Sequence, residues 1–438
     1  GISDALINRL GNIRQVVVRP TNAVRKYTDP GQDPMVIGRE LGVDTVLDGN
    51  IQRAGERVRV TAQLINVRNN APLWSETFDE KFTDIFTVQD TISERVVQAL
   101  TLTLTGEEKK LLTKRPTSNT EAYQAYLKGR YFWNKRTEEG YKRAIEYFEE
   151  SIEKDPRYAQ AYAGLADSYA LLGSMGNAVL PRSEAMPRAK LAAEKALLID
   201  ETLAEAHASL AFVLMHFEWD WPGAEREFKR AIELNPSYAT AHHWYAYYLL
   251  ARGRTDESLA EIKRAQEIDP LSLIINTDVG EMYFFARQYD RAIEQCQKTR
   301  ELDPDFDLAV RLLGWTYLQK GMHEKAIAEL QRAVSLSQGR RDSTALLGYA
   351  YGVVGKREEA KEVLSELKEI GKRSYVGPFE IALIYTGLNE KDQAFAWLEK
   401  AYDERSGSLI LLNADPALDG LRSDRRFADL VRRVGTAR

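Results

Sequence analysis

Four of the five histidines, His207, His216, His242 and His243, fall within 37 residues. Clustered imidazoles are the first pattern in this sequence that could do chemistry, as metal ligands or proton carriers. Their spacing argues against a metal cage. His207 and His242 take equivalent positions in two similar segments, His216 and His243 lie on the adjacent face, and no cysteine or carboxylate accompanies them at ligand spacing. Packing roles are therefore expected. Ser151-Ile152-Glu153-Lys154 has the spacing of a Ser/Lys nucleophile pair, but no supporting constellation surrounds it. Gly355-Lys356 lacks the flanking Gly and Ser/Thr of a phosphate-cradling loop, and His323-Glu324 lacks the second His of a zinc protease. Cys296 is the single cysteine, which excludes an intramolecular disulfide framework and a thiolate zinc cage built within the chain. It falls at an apolar core position, where a small inert hydrophobe is expected. These residues predict no catalytic centre, no metal and no cofactor.

The surroundings of these residues must come from a folded chain. At 438 residues with 44% apolar and 29% charged side chains, the sequence can bury a sizeable core. Its 60 Lys+Arg against 65 Asp+Glu leave a net charge of −5, which argues against nucleic-acid binding by this segment. Arg9, Arg14, Arg19, Arg25 and Lys26 give the beginning a basic flavour, yet residues 1–115 hold 16 Lys+Arg and 15 Asp+Glu, a balance of +1. Only Tyr27 offers a stacking ring nearby, so a solvated surface is expected. No apolar run approaches the roughly 18 residues of a membrane span. Without an initiator Met, the chain opens at Gly1-Ile2-Ser3-Asp4 on an amphipathic helical pattern, and we read it as a fragment cut inside a domain, without a secretory leader.

A period organises most of the remainder. Pro236, Pro270 and Pro304 are 34 residues apart, Ser258, Ala292, Ala326, Ala360 and Ala394 recur at the same step, and so do Gly280, Gly314 and Gly348. Within one period, Leu313-Gly314-x-x-Tyr317 and Ala326-x-x-x-Leu330-x-x-Ala333 carry helical spacing on two successive stretches. Each unit is thus expected to be two antiparallel helices. Their turns fall at Gly253, Gly321, Gly355 and Asn389, residues that tolerate the left-handed conformation ending a helix. Small residues recur where two helices must approach closely.

This pattern resembles the tetratricopeptide repeat, with its Leu-Gly-x-x-Tyr, Ala-x-x-x-Phe and Pro signature. Eight units begin near Glu121, Ala159, Ala204, Ala239, Leu273, Asp307, Arg341 and Tyr375, and the second carries an insertion near Gly173 to Pro187. The family's Trp at the fourth position is replaced by His207, His242, Asn276 and Val310. The resemblance implies a mainly α fold, a right-handed solenoid over residues 121–406, with residues 407–438 as a helical cap. Because solenoid units touch only their neighbours, stability is expected to be nearly a sum of local contributions.

Residues 1–112 do not follow the period. Helices are expected at Ile2–Leu10, Pro34–Leu41 and Ile85–Leu104, and strands at Gln15–Arg19, Val43–Arg53, around Val58 to Leu64, and at Leu73–Phe78. Val58, Val60, Ala62 and Leu64 alternate with Arg57, Arg59, Thr61 and Gln63, the mark of a half-buried strand after a hairpin turn at Ala54-Gly55-Glu56. A small α/β domain with a sheet covered on one face follows, joined by residues 113–120 to the solenoid. The stretches Gly42-Val43-Asp44-Thr45-Val46-Leu47-Asp48-Gly49-Asn50-Ile51 and Leu73-Trp74-Ser75-Glu76-Thr77-Phe78-Asp79 resemble the amino-terminal domain of TolB-type proteins. That family has an earlier strand before its first helix, absent here, so a frayed or pairing-prone sheet edge is expected.

With no chemistry assigned, the inner surface of the solenoid is the candidate site. The fifth, ninth and twelfth positions of the first helices turn toward it: Phe212 and Met215, then His243, Tyr247 and Leu250, then Thr277, Glu281 and Phe284, then Arg311, Trp315 and Leu318, then Tyr349. Phe212, His243, Tyr247, Glu281, Phe284, Arg311, Trp315 and Tyr349 are expected to hold a protein or peptide, aromatic rings as anchors and Arg311 and Glu281 as polar handles. By resemblance, such a module belongs to a bacterial signalling or regulatory protein, as in CadC-like winged-helix regulators, where it would be an extracytoplasmic sensor. The rival reading makes it the regulatory tail of a Ser/Thr kinase or nucleotide cyclase.

Overall fold

Alternation in Arg57–Asn66 builds the sheet. The computed structural model describes residues 2–24, 26–27, 32–55, 57–81, 85–135, 137–174, 180–337 and 340–436. Gly1, Arg25, Glu56 of the expected hairpin turn and residues 175–179 of the insertion lie outside them. After helices α1 (Ile2–Gly11), α2 (Thr21–Val24) and α3 (Pro34–Glu40), strands β1 (Thr45–Ala54), β2 (Arg57–Asn66) and β3 (Ala71–Lys81) form an antiparallel sheet in the order β1-β2-β3. Val58, Val60, Ala62 and Leu64 share one buried cluster with Leu6 and Leu10 of α1 and with Phe86, Ile92 and Val96 of α4 (Ile85–Ala99). The other face stays in water, where Arg57 and Arg59 reach Asp79 at 2.8 and 2.7 Å and Gln63 donates to Asp48 at 3.2 Å. A short α5 (Gly106–Thr113) follows.

Two expectations fail here. The helix from Ile85 stops at Ala99, with Thr101 at a φ of 53° beyond it. Gln15–Arg19 is not a strand, because its polar groups are committed to the helical array instead. The Val18 N–H donates to Ser237 Oγ at 3.4 Å, Ser237 Oγ donates to the Val16 carbonyl at 3.4 Å, and Arg19 donates to the carbonyls of Leu41 at 2.9 Å and Ile268 at 3.3 Å. The bonds to Ser237 and Ile268 bind the first domain to the repeats.

Helices take up 69% of the chain, so the sheet is a small appendage to the array. The array's pairs are α6 (Thr120–Trp133) with α7 (Glu138–Lys154), α8 (Ala159–Ser174) with α9 (Arg182–Ile199), and α10 (Ala204–Val213) with α11 (Trp221–Leu234). Next come α12 (Ala239–Ala251) with α13 (Thr255–Ile268), α14 (Leu273–Phe285) with α15 (Tyr289–Leu302), and α16 (Asp307–Gln319) with α17 (His323–Leu336). The last are α18 (Arg341–Val353) with α19 (Arg357–Gly371) and α20 (Pro378–Gly387) with α21 (Lys391–Asp403). The recurring small residues act as expected: a Cβ on Gly314 would lie 2.8 Å from Leu330 Cγ. Gly321 turns the chain between helices at a φ of +70°. In the fifth pair Arg287 does the same at 61°, a turn without a glycine to announce it.

The array does not behave as a row of neighbours. A π turn at Leu214–Glu218 extends α10, and Trp219 follows at a φ of 57°. Its ring then meets Tyr402 of the eighth pair at 5.1 Å, and the Arg405 guanidinium lies 4.4 Å from the Trp219 ring. The third pair therefore contacts the eighth, against the expectation that units touch only their neighbours. The closing segment fills the space between them. It runs through 3-10 turns at Gly407–Leu411 and Pro416–Leu421 into α22 (Arg425–Val434). Leu409, Leu412 and Leu418 are fully buried in one cluster with Phe212, Trp244, Phe379 and Leu398. Each such burial contributes about 1.5–3 kcal/mol. Asp419 pairs with Arg287 at 2.9 Å and the Gly435 carbonyl accepts from Arg252, so the segment binds the fourth and fifth pairs as well.

Candidate functional site

The stripe on the first helices lies beneath this closing segment, and its residues divide into two sets. Phe212, His243, Phe284 and Tyr349 are buried, as are Met215, Leu250, Thr277 and Leu318. The Phe212 ring lies tilted against Trp244 at 4.7 Å, and the Phe284 ring tilted against Trp315 at 4.4 Å. Tyr349 and Leu318 belong to a cluster that takes in Ala417 of the closing segment. Tyr247, Glu281, Arg311 and Trp315 are half-buried.

Polar side chains of the stripe pair from one helix pair to the next. Tyr247 donates to Glu281, Arg311 donates to Asp342, and His243 Nε2 lies 2.6 Å from Asp278. The partners stand 34, 31 and 35 residues apart, close to one period. Sequence reasoning missed Asp278 and Asp342, although a search for complementary types one period downstream finds both. Burial, with Asp278 close by, raises the Glu281 carboxyl to about 7. Burial likewise brings Glu380 to about 7, reinforced by Asp342. Asp342 goes the other way: burial would raise it, but Arg311 and Arg340 hold it down at about 2. Near neutrality Asp342 is thus charged, whereas Glu281 and Glu380 bind protons more readily than ordinary carboxyl groups.

Tetratricopeptide-repeat family models match residues 132–181 and 220–272, and a further one matches residues 286–347. The helical array contains tetratricopeptide repeats. A protein of Rhizobium meliloti (strain 1021) named "Putative adenylate cyclase 3" is 31% identical over 166 residues, which are 38% of this chain. The chain spans 28% of that relative's length. Similar solved structures include Pseudomonas aeruginosa PilF, at 22% identity and a TM-score of 0.38 over 52% of this chain and 96% of PilF. The pilus biogenesis factor PilW is 20% identical, with a TM-score of 0.40 over 51% of this chain and 96% of its own. The Cut9–Hcn1 hetero-tetramer is 15% identical, with a TM-score of 0.48 over 81% and 63% respectively.

In three of the units the altered fourth position acts as a cross-brace, Val310 being the exception. His207 Nδ1 lies 2.7 Å from Glu227 and its Nε2 2.9 Å from the Glu201 carbonyl. His242 repeats this with Glu261 at 2.6 Å and the Pro236 carbonyl at 3.1 Å. Asn276 does so by donating to the Pro270 carbonyl at 2.8 Å and accepting from Gln266 at 2.7 Å. Each therefore ties the preceding loop to a second helix, the packing role read from the sequence. Among the described residues no three His, Cys, Asp or Glu side chains gather as a metal site. Ser151 donates to the Ala122 carbonyl at 2.8 Å while Lys154 pairs with Glu121 at 2.9 Å, so the two do not meet. Cys296 is buried, and burial pushes its thiol up. No helix among the described residues is long and apolar enough to cross a membrane.

Proposed function

We propose that this chain is a non-catalytic interaction module that holds a protein or peptide partner along the inner surface of its tetratricopeptide array. The observation that carries this reading is the half-buried set Tyr247, Glu281, Arg311 and Trp315, which keeps part of its surface open although Leu411 and Ala414 of the closing segment pack against the same cluster as Tyr247 and Trp315. Its hydroxyl, carboxyl and guanidinium groups come from successive pairs, Tyr247 donating to Glu281 and Arg311 to Asp342, and a partner's backbone would compete for or add to these bonds. Phe212, His243, Phe284 and Tyr349 support that surface from beneath. Trp315→Ala and Tyr247→Ala should each weaken partner binding by about 2 kcal/mol or more with helical content unchanged, and Arg311→Glu should also impair it. Titration of a captured partner against these variants tests the reading. Unchanged affinity in all three, with capture abolished by surface changes in residues 1–112, would transfer recognition to the first domain.

A second reading has its own support. The match to the Rhizobium meliloti protein favours a regulatory tail attached to a nucleotide cyclase. The TolB-like first domain favours the front end of a CadC-like bacterial regulator instead. Sequencing upstream of Gly1 separates them: a helix-turn-helix pattern followed by about 20 apolar residues fits the regulator, and a catalytic domain fits the cyclase.

A further inference from the structure

A cavity of about 90 Å³ lies where α1, α4 and α6 meet the loop leading into α10, between the first domain and the beginning of the array. It is separate from the inner stripe. At roughly 10–15 Å³ per water it has room for a ligand of several heavy atoms. Arg9, Gln89, Lys114, Tyr123, Tyr126 and Glu205 are among the residues that line it.

Two of these carry charge that the fold leaves incompletely used. Arg9 is only 6% exposed, and its Nη1 donates to Asp90 at 2.5 Å, but its Nη2 makes no hydrogen bond among the described residues. A buried donor without an acceptor is destabilising, so the site gains from an acceptor supplied from outside. Glu205 lines the same cavity, and its carboxylate makes no hydrogen bond or ion pair with another side chain among the described residues. Burial raises the Glu205 carboxyl, and Arg130, its attractive neighbour, already pairs with Asp167 at 3.5 Å, so a cation held in the cavity would favour the charged form of Glu205. The other charges at the cavity are engaged: Lys114 with Asp200 at 2.5 Å, Asp4 with Thr21 at 2.5 Å. Tyr123 and Tyr126 supply apolar walls, with Gln89 donating to the Tyr123 hydroxyl at 3.0 Å.

We propose that this cavity binds a small zwitterion of amino-acid type, its carboxylate taken by Arg9 and its ammonium by Glu205. A simple anion would face Glu205 and Asp4 as like charges, and a simple cation would face Arg9 and Lys114. A molecule carrying both charges meets an opposite partner at each, through charge-assisted hydrogen bonds.

The test is calorimetric titration and thermal shift on the full chain with glycine, β-alanine and γ-aminobutyrate, with acetate and methylammonium as single-charge controls. At least one zwitterion should bind at millimolar concentration and raise the melting temperature, and both controls should fail. Glu205→Gln, with its fold checked by circular dichroism, should weaken that binding about tenfold or more. Arg9→Lys should do the same. Because Arg9 also anchors Asp90, Glu205→Gln is the variant that decides. Absence of binding by all three zwitterions, equal binding of acetate, or binding unchanged in Glu205→Gln would each overturn the proposal.

Discussion

The indole N–H of Trp221 donates to the carbonyl of Val434 at 2.9 Å, joining the third helix pair to the last helix across 213 residues of chain. A Cβ on Gly435 would sit 2.8 Å from that indole nitrogen, so the chain end is fitted closely against it. Together with the contact between Trp219 and Tyr402, this bond closes the solenoid on itself. Closure makes distant pairs share stability.

Leu418 is fully buried in the closing segment. Leu418→Ala should cost about 2–5 kcal/mol, and hydrogen exchange should rise in the third and fourth pairs together with residues 407–421. Exchange confined to the eighth pair would show that the closure does not couple them.

Ala326 is fully buried where α17 meets α16. Ala326→Trp should overpack that contact at a cost of about 1–3 kcal/mol or more. Because Ala326 and Ala417 share one cluster, exchange should loosen the sixth pair first and the closing segment with it, leaving the first pair protected. Uniform loosening of all pairs would contradict this.

Glu281 and Glu380 rise from the ordinary 4.5 to about 7, and Asp415 from 3.8 to about 7, chiefly through burial. The folded state then binds more protons than the unfolded chain between those values, so stability falls as pH rises. Their contribution is fully present below about pH 4 and is lost as pH passes 7. Asp342, held near 2, acts oppositely and loses its contribution only in acid. Melting temperature should therefore be lower at pH 8 than at pH 5. Combining Glu281→Gln, Glu380→Gln and Asp415→Asn should flatten that slope, and an unchanged slope would assign it to other groups.

Arg311 and Arg340 both face Asp342, with Arg340 at 2.8 Å. Arg311→Leu should destabilise the protein by about 1–3 kcal/mol by leaving a half-buried carboxylate with one partner fewer. In a double-mutant cycle, Asp342→Asn should absorb much of that cost. Additive costs would mean that the pair is not coupled.

Ser237 holds the segment that the sequence suggested as a strand. Ser237→Ala removes the hydroxyl bridging Val16 and Val18 and should speed exchange at the Val18 amide about tenfold, the equivalent of about 1.4 kcal/mol. No change there would mean that Arg19 alone secures the segment.

Much of this architecture was legible because its causes are local. The step of 34 residues, the small residue at Gly314 under Leu330, and the turn at Gly321 are consequences of which side chains fit between two adjacent helices. The alternation at Val58, Val60, Ala62 and Leu64 is equally local. Gln15–Arg19 was misread because a short apolar run says only that the chain is extended, and not which acceptors its amides will find. In the candidate site, spacing located Tyr247, Glu281, Arg311 and Trp315 on one surface but could not tell them from the buried Phe284 and Tyr349. That difference depends on neighbouring pairs and on the segment lying over the stripe.

The helix pairs, their repeat and the small sheet are local properties of the chain, since each follows from side-chain period and turn chemistry over a few dozen residues. Tertiary structure alone decided that Trp219 meets Tyr402, that residues 407–421 run inside the array, and that Arg9 and Glu205 line one cavity. Such contacts depend on small rotations summed over successive pairs. No single residue type records that sum, so the sites built across it emerge only when the whole chain has closed.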